Sequence, residues 1–187
     1  MANKIITISR EFGSGGRFIG EEVAKKLGMK YYDKDIISQI AEKLGFSKEY
    51  ISQNAELSPK KGLFAYALTG RDTTGKSVED MVYEAQRKVI LEIAENDSCV
   101  IIGRNADYIL KDRTDVINIF IHADMPEKVK RICRLYNVTE TEAVAMTADI
   151  DKRRMTNYRY YTDQKWGMAR NYTCLLYTSP SPRDMRR

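Results

Sequence analysis

Hydrophobic residues along this chain alternate between short continuous runs and stretches with helical spacing. The first run, Ile5 to Ile8, is rich in β-branched residues, which is typical of a strand buried on both faces of a parallel sheet. Apolar residues then recur at helical spacing from Ile19 to Leu27, and Gly28 follows where a helix would end. The start of the chain therefore predicts a strand, a turn and a helix.

The same alternation continues along the chain. Further buried strands are predicted at Cys99–Ile102 and Asp115–His122, with a short one at Met29–Tyr32. Helical patterns lie between and after the strands, each preceded by a capping residue: Asp33 or Asp35, Ser47, Ser77, Asp124 and Thr139. Strands that alternate with helices of ten or more residues predict a three-layer α/β/α sandwich on a mainly parallel sheet.

The helix predicted after Ser77 is the longest before residue 100. Asp80 stands three residues after Ser77, which completes a capping-box pattern. The predicted buried stripe of this helix consists of Val78, Met81, Val82, Ala85, Val89 and Ile93.

The turn after the first strand is rich in glycine. Gly13, Gly15 and Gly16 permit positive φ angles and let the backbone approach a ligand without a Cβ in the way. The following helix directs its free N–H groups and the positive end of its dipole at the turn, which favours a phosphate. The alternative interpretation is an ordinary tight turn between a strand and a helix.

A second segment, Gly70–Ser77, matches the textual P-loop pattern G-x-x-x-x-G-K-[ST] at every position. That pattern binds phosphate only where a buried strand leads into it. The preceding Leu63–Leu68 contains no Val or Ile and favours a helix, so the first glycine turn is the better phosphate site.

The composition limits the number of domains, the location and the kinds of cysteine site that fit this chain. The 187 residues suit one domain, and neither an 18-residue apolar run nor a signal-peptide layout is present, which predicts a cytoplasmic protein without a membrane partner. The three cysteines lie far apart without a CxxC motif, which argues against a disulfide framework or a zinc site.

The net charge of +5 is concentrated late in the chain. Residues 125–187 carry 13 Lys/Arg against 7 Asp/Glu, a net +6. Such a region suits side chains that close over a polyphosphate, and it also permits RNA binding. Aromatic residues that could stack on RNA bases are interleaved there, namely Tyr158, Tyr160, Tyr161, Trp166 and Tyr172. Nucleic acid is the less favoured partner because no RNA-binding signature accompanies them.

The end of the chain departs from this pattern. Residues 175–187 are polar, interrupted by proline and without apolar periodicity, which predicts a non-native or disordered tail. The sandwich would then lack its last strand and helix.

Several motifs together resemble the cytidylate kinase-like family of P-loop proteins, from Ile5 to about Leu175. The residues that carry the resemblance are Ile8–Arg17, Tyr31–Lys34, Val100–Leu110, Ile119–Ala123, Asp151–Arg154, Tyr160, Tyr161 and Trp166. The resemblance implies a P-loop fold of the nucleoside-monophosphate-kinase type over residues 1–174. It also implies an acceptor-binding helical segment at about 33–98 and a basic lid at about 138–170.

The resemblance further implies ATP-dependent phosphoryl transfer to a small molecule, most simply a nucleoside monophosphate such as CMP. Donor phosphates would be bound by Gly13, Ser14, Gly15, Gly16, Arg17, Phe18, Arg131, Arg134 and Lys152. The acceptor would be bound by Asp33, Lys34 and Arg104. The catalytic cations would be Arg17, Arg153 and Arg154.

The chain departs from the P-loop and family patterns at four positions. Glu11 replaces the first glycine, Arg17 replaces lysine, Phe18 replaces the Ser/Thr that would hold Mg²⁺, and Ile102 replaces an acid. Mg²⁺ is an expected cofactor whose protein ligands the sequence does not identify. Asp107, Asp149 and Asp151 are candidate metal or acceptor contacts, with surface or capping roles as the alternative.

A nucleotide sensor without turnover is a second hypothesis, and the sequence does not predict the oligomeric state.

Overall fold

The structure is a computed structural model that describes residues 4–33 and 78–179. Its strands are β1 (Ile5–Arg10), β2 (Lys30–Tyr32), β3 (Cys99–Ile102), β4 (Val116–His122) and β5 (Cys174–Tyr177). Its helices are α1 (Gly16–Leu27), α2 (Val78–Asn96), α3 (Ala106–Ile109), α4 (Met125–Tyr136) and α5 (Glu140–Thr162), with a 3₁₀ turn at Ala169–Asn171.

The five strands form one sheet in the order β2-β3-β1-β4-β5, and every pair is parallel. β1 lies at its centre, with Ile5 opposite Cys99 on one side and Val116 on the other. Helices cover both faces. Ile90 and Ala94 of α2 pack on one face, and Ala24 of α1 packs on the other. The predicted α/β/α sandwich on a parallel sheet is confirmed.

Two of the predicted helix signals in the described residues are confirmed in detail, whereas Asp124 precedes α4 without a side-chain capping hydrogen bond. Gly28 ends α1 with φ +63°, in the left-handed region that glycine favours. Thr139 and Glu142 form the predicted capping box at the start of α5. The stripe of α2 needs one correction, since Met81 is exposed whereas Val82, Ala85, Val89 and Ile93 are buried.

The end of the described chain also needs a correction. The proline-broken sequence predicts a tail from residue 175 and the loss of the last strand, but Cys174–Tyr177 form β5. This strand pairs with β4, with Phe120 opposite Leu175. All four residues of β5 are exposed, as an edge strand permits, so the segment has no buried stripe to reveal it.

Some predictions fall outside the described residues. They concern the helices after Asp35 and Ser47, the Gly70–Ser77 segment with the Ser77 cap, Lys34, and residues 180–187. Within the described ranges, no helix is both long and apolar enough to cross a bilayer.

Candidate functional site

The glycine turn, residues 11–16, joins the end of β1 to the start of α1. Gly13 and Gly15 have φ angles of +78° and +82°, so both need the conformational freedom of glycine. Gly15 caps α1 without a side-chain hydrogen bond, and the first turn of α1 contains no acidic residue. The first N–H groups of a helix have no intrahelical partner, and the dipole there is positive. This end of α1 is therefore suited to an anion.

Close packing also requires glycine in the turn. A Cβ at Gly13 would lie 2.9 Å from Ile132 Cδ1 and 3.0 Å from Lys128 Cβ, both on α4. A Cβ at Gly16 would lie 2.6 Å from Arg10 Cβ. The turn is therefore pressed between β1 and α4, and a larger side chain at either position would displace it.

A network of charged side chains, the loop anchor, fixes the turn to α4 and α5. Lys128 Nζ lies 3.0 Å from Glu11 Oε2 and 3.9 Å from Asp151 Oδ2. Asp151 Oδ1 accepts a 2.8 Å hydrogen bond from the Phe12 backbone N–H. Arg154 Nη1 donates to the Arg10 carbonyl at 3.1 Å and lies 3.4 Å from Asp151 Oδ1. Glu11, where a P-loop has its first glycine, thus anchors the turn.

Burial dominates the electrostatics of the loop anchor. Desolvation raises the pKa of Asp151, although the hydrogen bond from Phe12 and the charges of Arg154 and Lys128 act in the opposite direction. The Lys128 side chain is only 8% exposed. A buried lysine between two carboxylates is stable only while both partners remain, so the three groups depend on one another.

Arg131 approaches the turn from α4. Its Nη1 donates to the Gly13 carbonyl at 3.1 Å, and its Nη2 donates to the Thr178 carbonyl at 2.9 Å. Its Nε would lie 3.9 Å from a Cβ at Gly15. This predicted phosphate ligand therefore lies against the glycine turn.

Three arginines line one cleft beside the turn, here named the arginine cleft. Its lining consists of Ser9, Arg10, Gly103, Arg104, Asn105, Arg154 and Trp166. Arg10 ends β1 and Gly103 follows β3, so the cleft opens at the carboxyl ends of two neighbouring central strands. Ligands of parallel α/β sheets bind at this edge.

The backbone after β3 explains how Arg104 reaches the cleft. Gly103, Arg104 and Asn105 have φ angles of +70°, +61° and +55°. Left-handed non-glycine residues are unfavourable by about 1–3 kcal/mol each and concentrate at functional sites. The turn holds Arg104 nearly buried, at 5% exposure, on the wall of the cleft.

Asp107, one turn further on, lies beneath the cleft and is 3% exposed. Its Oδ2 accepts a 2.7 Å hydrogen bond from the Tyr158 hydroxyl of α5, and its Oδ1 accepts a 3.4 Å bond from Ser9 Oγ of β1. Burial raises the pKa of Asp107 despite both hydrogen bonds. This carboxyl connects α3 with α5 and β1 beside the cleft.

The remaining predicted residues are more scattered. Arg17 Nη2 forms a 2.7 Å ion pair with Asp33 Oδ2, which brings a predicted donor ligand to a predicted acceptor ligand. Arg153 lies 3.9 Å from Asp149 on the same helix, and neither belongs to the lining of the arginine cleft. Arg134, Lys152 and Phe18 lie on the surface, with Phe18 69% exposed.

Sequence reasoning missed the roles of Arg10, Asn105 and Trp166 in lining the cleft. Arg10 carries a signal, because it is the first charged residue after a buried run that leads into a glycine turn. Asn105 carries a weaker one, since asparagine tolerates the left-handed conformation found there. Trp166 lies on a segment after α5 that has no periodic pattern to place it.

Most of the late aromatic residues pack inward. Trp166 contacts the Phe120 ring edge-on with centroids 5.1 Å apart, and Tyr172 also packs on Phe120. Tyr158 is buried, and Tyr161 stacks on Tyr83. These rings serve the core and the site, so they do not offer a row of stacking surfaces to RNA.

Protein ligands for a metal are not evident in the part of the chain that the structure describes. No group of three or more His, Cys, Asp or Glu side chains is placed there to hold an ion. The position after Arg17 carries an exposed phenylalanine, which has no oxygen to offer. Within residues 4–33 and 78–179, the side chains do not fit a protein-held Mg²⁺.

Comparison with known proteins identifies the family and the fold. The family model described as the cytidylate kinase-like family matches residues 5–180. A curated cytidylate kinase from Archaeoglobus fulgidus is 25% identical over 166 residues, which cover 86% of this chain and 79% of that protein.

Solved structures show the same fold. An uncharacterized protein from Eubacterium ventriosum has a TM-score of 0.72 and 26% identity, over 94% of this chain and 88% of that one. A shikimate kinase from Bacteroides thetaiotaomicron has a TM-score of 0.50 and 16% identity, over 94% and 86% of the two chains. The second likeness concerns the fold alone.

Proposed function

The chain belongs to the cytidylate kinase-like family, and from that premise we propose that it transfers a phosphoryl group from ATP to a nucleoside monophosphate such as CMP. The family and the kinase-type fold support phosphoryl transfer to a small molecule. ATP as the donor and a nucleoside monophosphate as the acceptor are our proposal.

The observation that carries the proposal is the convergence of Arg10, Arg104 and Arg154 on one cleft beside the glycine turn. Phosphoryl transfer needs little covalent chemistry from the protein, because alignment and positive charge on the transferring group provide most of the acceleration. The turn and the start of α1 would bind donor phosphates. Arg104 would hold the acceptor phosphate, and Arg154 would face the group in transfer.

α5 connects these roles. It carries Asp151 and Arg154, which hold the glycine turn, and Tyr158, which bonds to Asp107 beneath the cleft. We assign α5 to the lid at about 138–170, whose closure would exclude water from the cleft and limit hydrolysis of the donor. The ion pair of Arg17 with Asp33 would open to release Arg17 toward phosphate.

The test is a transfer assay with ATP and CMP on the purified protein and on Arg104→Met. We expect the variant to lose about 10³-fold in kcat/KM, because a guanidinium aligned on phosphate contributes on that order. Arg87→Met is the control, since Arg87 is exposed on α2, and it should retain activity. Equal activity of Arg104→Met and the unmodified protein would contradict the assigned role.

A nucleotide sensor is the second candidate, and the exposed Phe18 in place of a Ser/Thr hydroxyl favours it. The same assay separates the two functions. ATP binding without transfer to any nucleoside monophosphate would select the sensor, whereas product formation would select the kinase.

A further inference from the structure

Gln86 is a buried amide on a helix stripe that is otherwise apolar. It lies on α2 among Val82, Val89 and Ile93, and it is 3% exposed. Among the residues that the structure describes, its Nε2 has no hydrogen-bond partner. An unpaired buried amide is unfavourable by about 1–3 kcal/mol, so it calls for a physical reason.

The surroundings of Gln86 supply one. It lines a second cleft, here named the amide cleft, together with Glu79, Val82, Tyr83, Arg104, Asn105, Asn157 and Tyr161. Arg104 and Asn105 belong to both clefts. The two clefts therefore adjoin at the arginine assigned to the acceptor phosphate, and a molecule held there would extend toward Gln86.

A second polar atom in the amide cleft is also unsatisfied. Glu79 Oε2 is buried without a hydrogen-bond partner within the described part of the chain. Gln86 thus offers a donor, and Glu79 an acceptor, to a molecule in the amide cleft. The carboxylate of Glu79 would repel a second anionic group at this end of a ligand.

The walls of the amide cleft favour a flat group. The rings of Tyr83 and Tyr161 stack with centroids 3.9 Å apart and an interplanar angle of 5°, and both residues line the cleft. Asn105 Nδ2 donates to Asn157 Oδ1 at 3.3 Å, which closes the side toward α5. Flat heterocycles with donors and acceptors on their edge, such as nucleobases, match such walls better than aliphatic polyols do.

We propose that Gln86 is a specificity-determining residue that donates a hydrogen bond from Nε2 to the base of the acceptor nucleotide, while Glu79 accepts one from the same base. This inference rests on the proposed function, because it takes the acceptor phosphate to lie at Arg104. No bond is made or broken by either residue. Their effect is on which acceptor binds.

The test compares two ligands that differ only beyond the sugar phosphate. CMP carries a base, whereas ribose 5-phosphate retains the phosphate and the sugar without one. Titration calorimetry on the full chain would give the dissociation constants of both ligands for the unmodified protein and for Gln86→Leu. Leucine has a similar volume and leaves no unpaired amide, so the variant should fold, and a thermal melt would verify this.

We expect Gln86→Leu to weaken CMP binding by about 5–10-fold and ribose 5-phosphate binding by less than about 2-fold, since one buried neutral hydrogen bond is lost. Glu79→Gln should likewise weaken CMP selectively. Glu92→Gln changes the same charge at an exposed position of α2, and it should leave both ligands unaffected.

Two results would overturn the inference. Equal weakening of both ligands by Gln86→Leu would indicate a purely structural role, and unchanged CMP binding would show that Gln86 does not contact the base. The proposed function fails in a different way. If CMP binds with the predicted dependence on Gln86 but receives no phosphate from ATP, the base contact stands and the kinase activity does not.

Discussion

On one side of the glycine turn, α4 and α5 pair the buried charges of the loop anchor with protein partners. Lys128 lies between Glu11 and Asp151, and Asp151 also accepts from Phe12. The amide cleft, by contrast, leaves polar atoms of Gln86 and Glu79 without partners in the described residues. Lys128 and its two carboxylates are thus paired within the protein, whereas the amide cleft would be completed by a ligand.

Substitutions in the two regions should therefore change different properties, namely stability in the loop anchor and ligand binding in the amide cleft. Removing a group from a completed buried network leaves its partners unpaired, which lowers stability. Removing a group whose hydrogen-bond partner is a ligand changes the stability of the free protein little, but it weakens ligand binding strongly. Variants of the loop anchor should therefore unfold more easily, while variants of the amide cleft should fold normally and bind poorly.

The largest expected effect on stability is that of Lys128→Met. Methionine retains the apolar stem that packs at Gly13, but it removes the cation between Glu11 and Asp151 and leaves Asp151 with Arg154 as its only cationic neighbour in the loop anchor. We expect a loss of about 3 kcal/mol in the free energy of unfolding, measured by urea denaturation. Lys130→Met is the matched control, because Lys130 is exposed on the same helix.

If Lys128→Met were as stable as the control, the loop anchor would not be the structural element described here. A further measurement sharpens the comparison. CMP binding by the folded Lys128→Met variant should change less than it does in Gln86→Leu, because Lys128 does not line the amide cleft.

The central strands and the glycine turn could be predicted from the sequence because their signals are local. The β-branched run Ile5–Ile8 and the capping box at Thr139 each specify their element within a few residues. β5 has no such signal, since an exposed edge strand is defined by its partner β4 rather than by its own pattern.

Some residues of the candidate site could be predicted from the sequence, but the contacts between them could not. Arg104 and Arg154 follow from motifs, but the pairing of Lys128 with Glu11 spans 117 residues of sequence. Gln86 shows the limit most clearly. A polar residue on an apolar stripe is visible in the sequence, yet only the cleft beside Arg104 distinguishes it from an ordinary buried amide.

The contact between α1 and the sheet leads to a prediction with an intermediate effect on stability. Gly20 faces the sheet, where a Cβ would overlap Ile102 Cδ1 and lie 3.2 Å from Ile8 Cδ1. Gly20→Ala should lower the free energy of unfolding by about 2 kcal/mol, since overpacking outweighs the better helix propensity of alanine. Thermal or urea denaturation would measure the loss.

The double variant Gly20→Ala, Ile102→Val provides the control for that measurement. Valine removes the Cδ1 atom that the new methyl group would overlap, so the second change should cost less in the Gly20→Ala background than alone. Additive losses would show that the contact is not the cause. A weaker affinity for ATP in Gly20→Ala would further show that packing of α1 positions the glycine turn.

The smallest expected effect is a pH dependence of protein stability that arises from Asp107. Burial raises the folded-state pKa of Asp107 above its ordinary value of 3.8. Above about pH 4 the folded protein therefore retains a proton that the unfolded chain has released, and stability from this group falls as the pH rises through that window. The neighbouring Tyr158 and Tyr172 have raised pKa values and stay neutral throughout.

Asp107→Asn has no such proton to lose, so its stability should lack this slope. We expect the free energy of unfolding of the unmodified protein, relative to Asp107→Asn, to decrease between pH 4.5 and 7, measured by urea denaturation. Asp112→Asn changes an exposed carboxyl five residues further along the chain and is the control. A constant difference for Asp107→Asn would mean that Asp107 is ionised in the folded protein throughout this range, and the cleft side would then carry a buried charge as the loop anchor does.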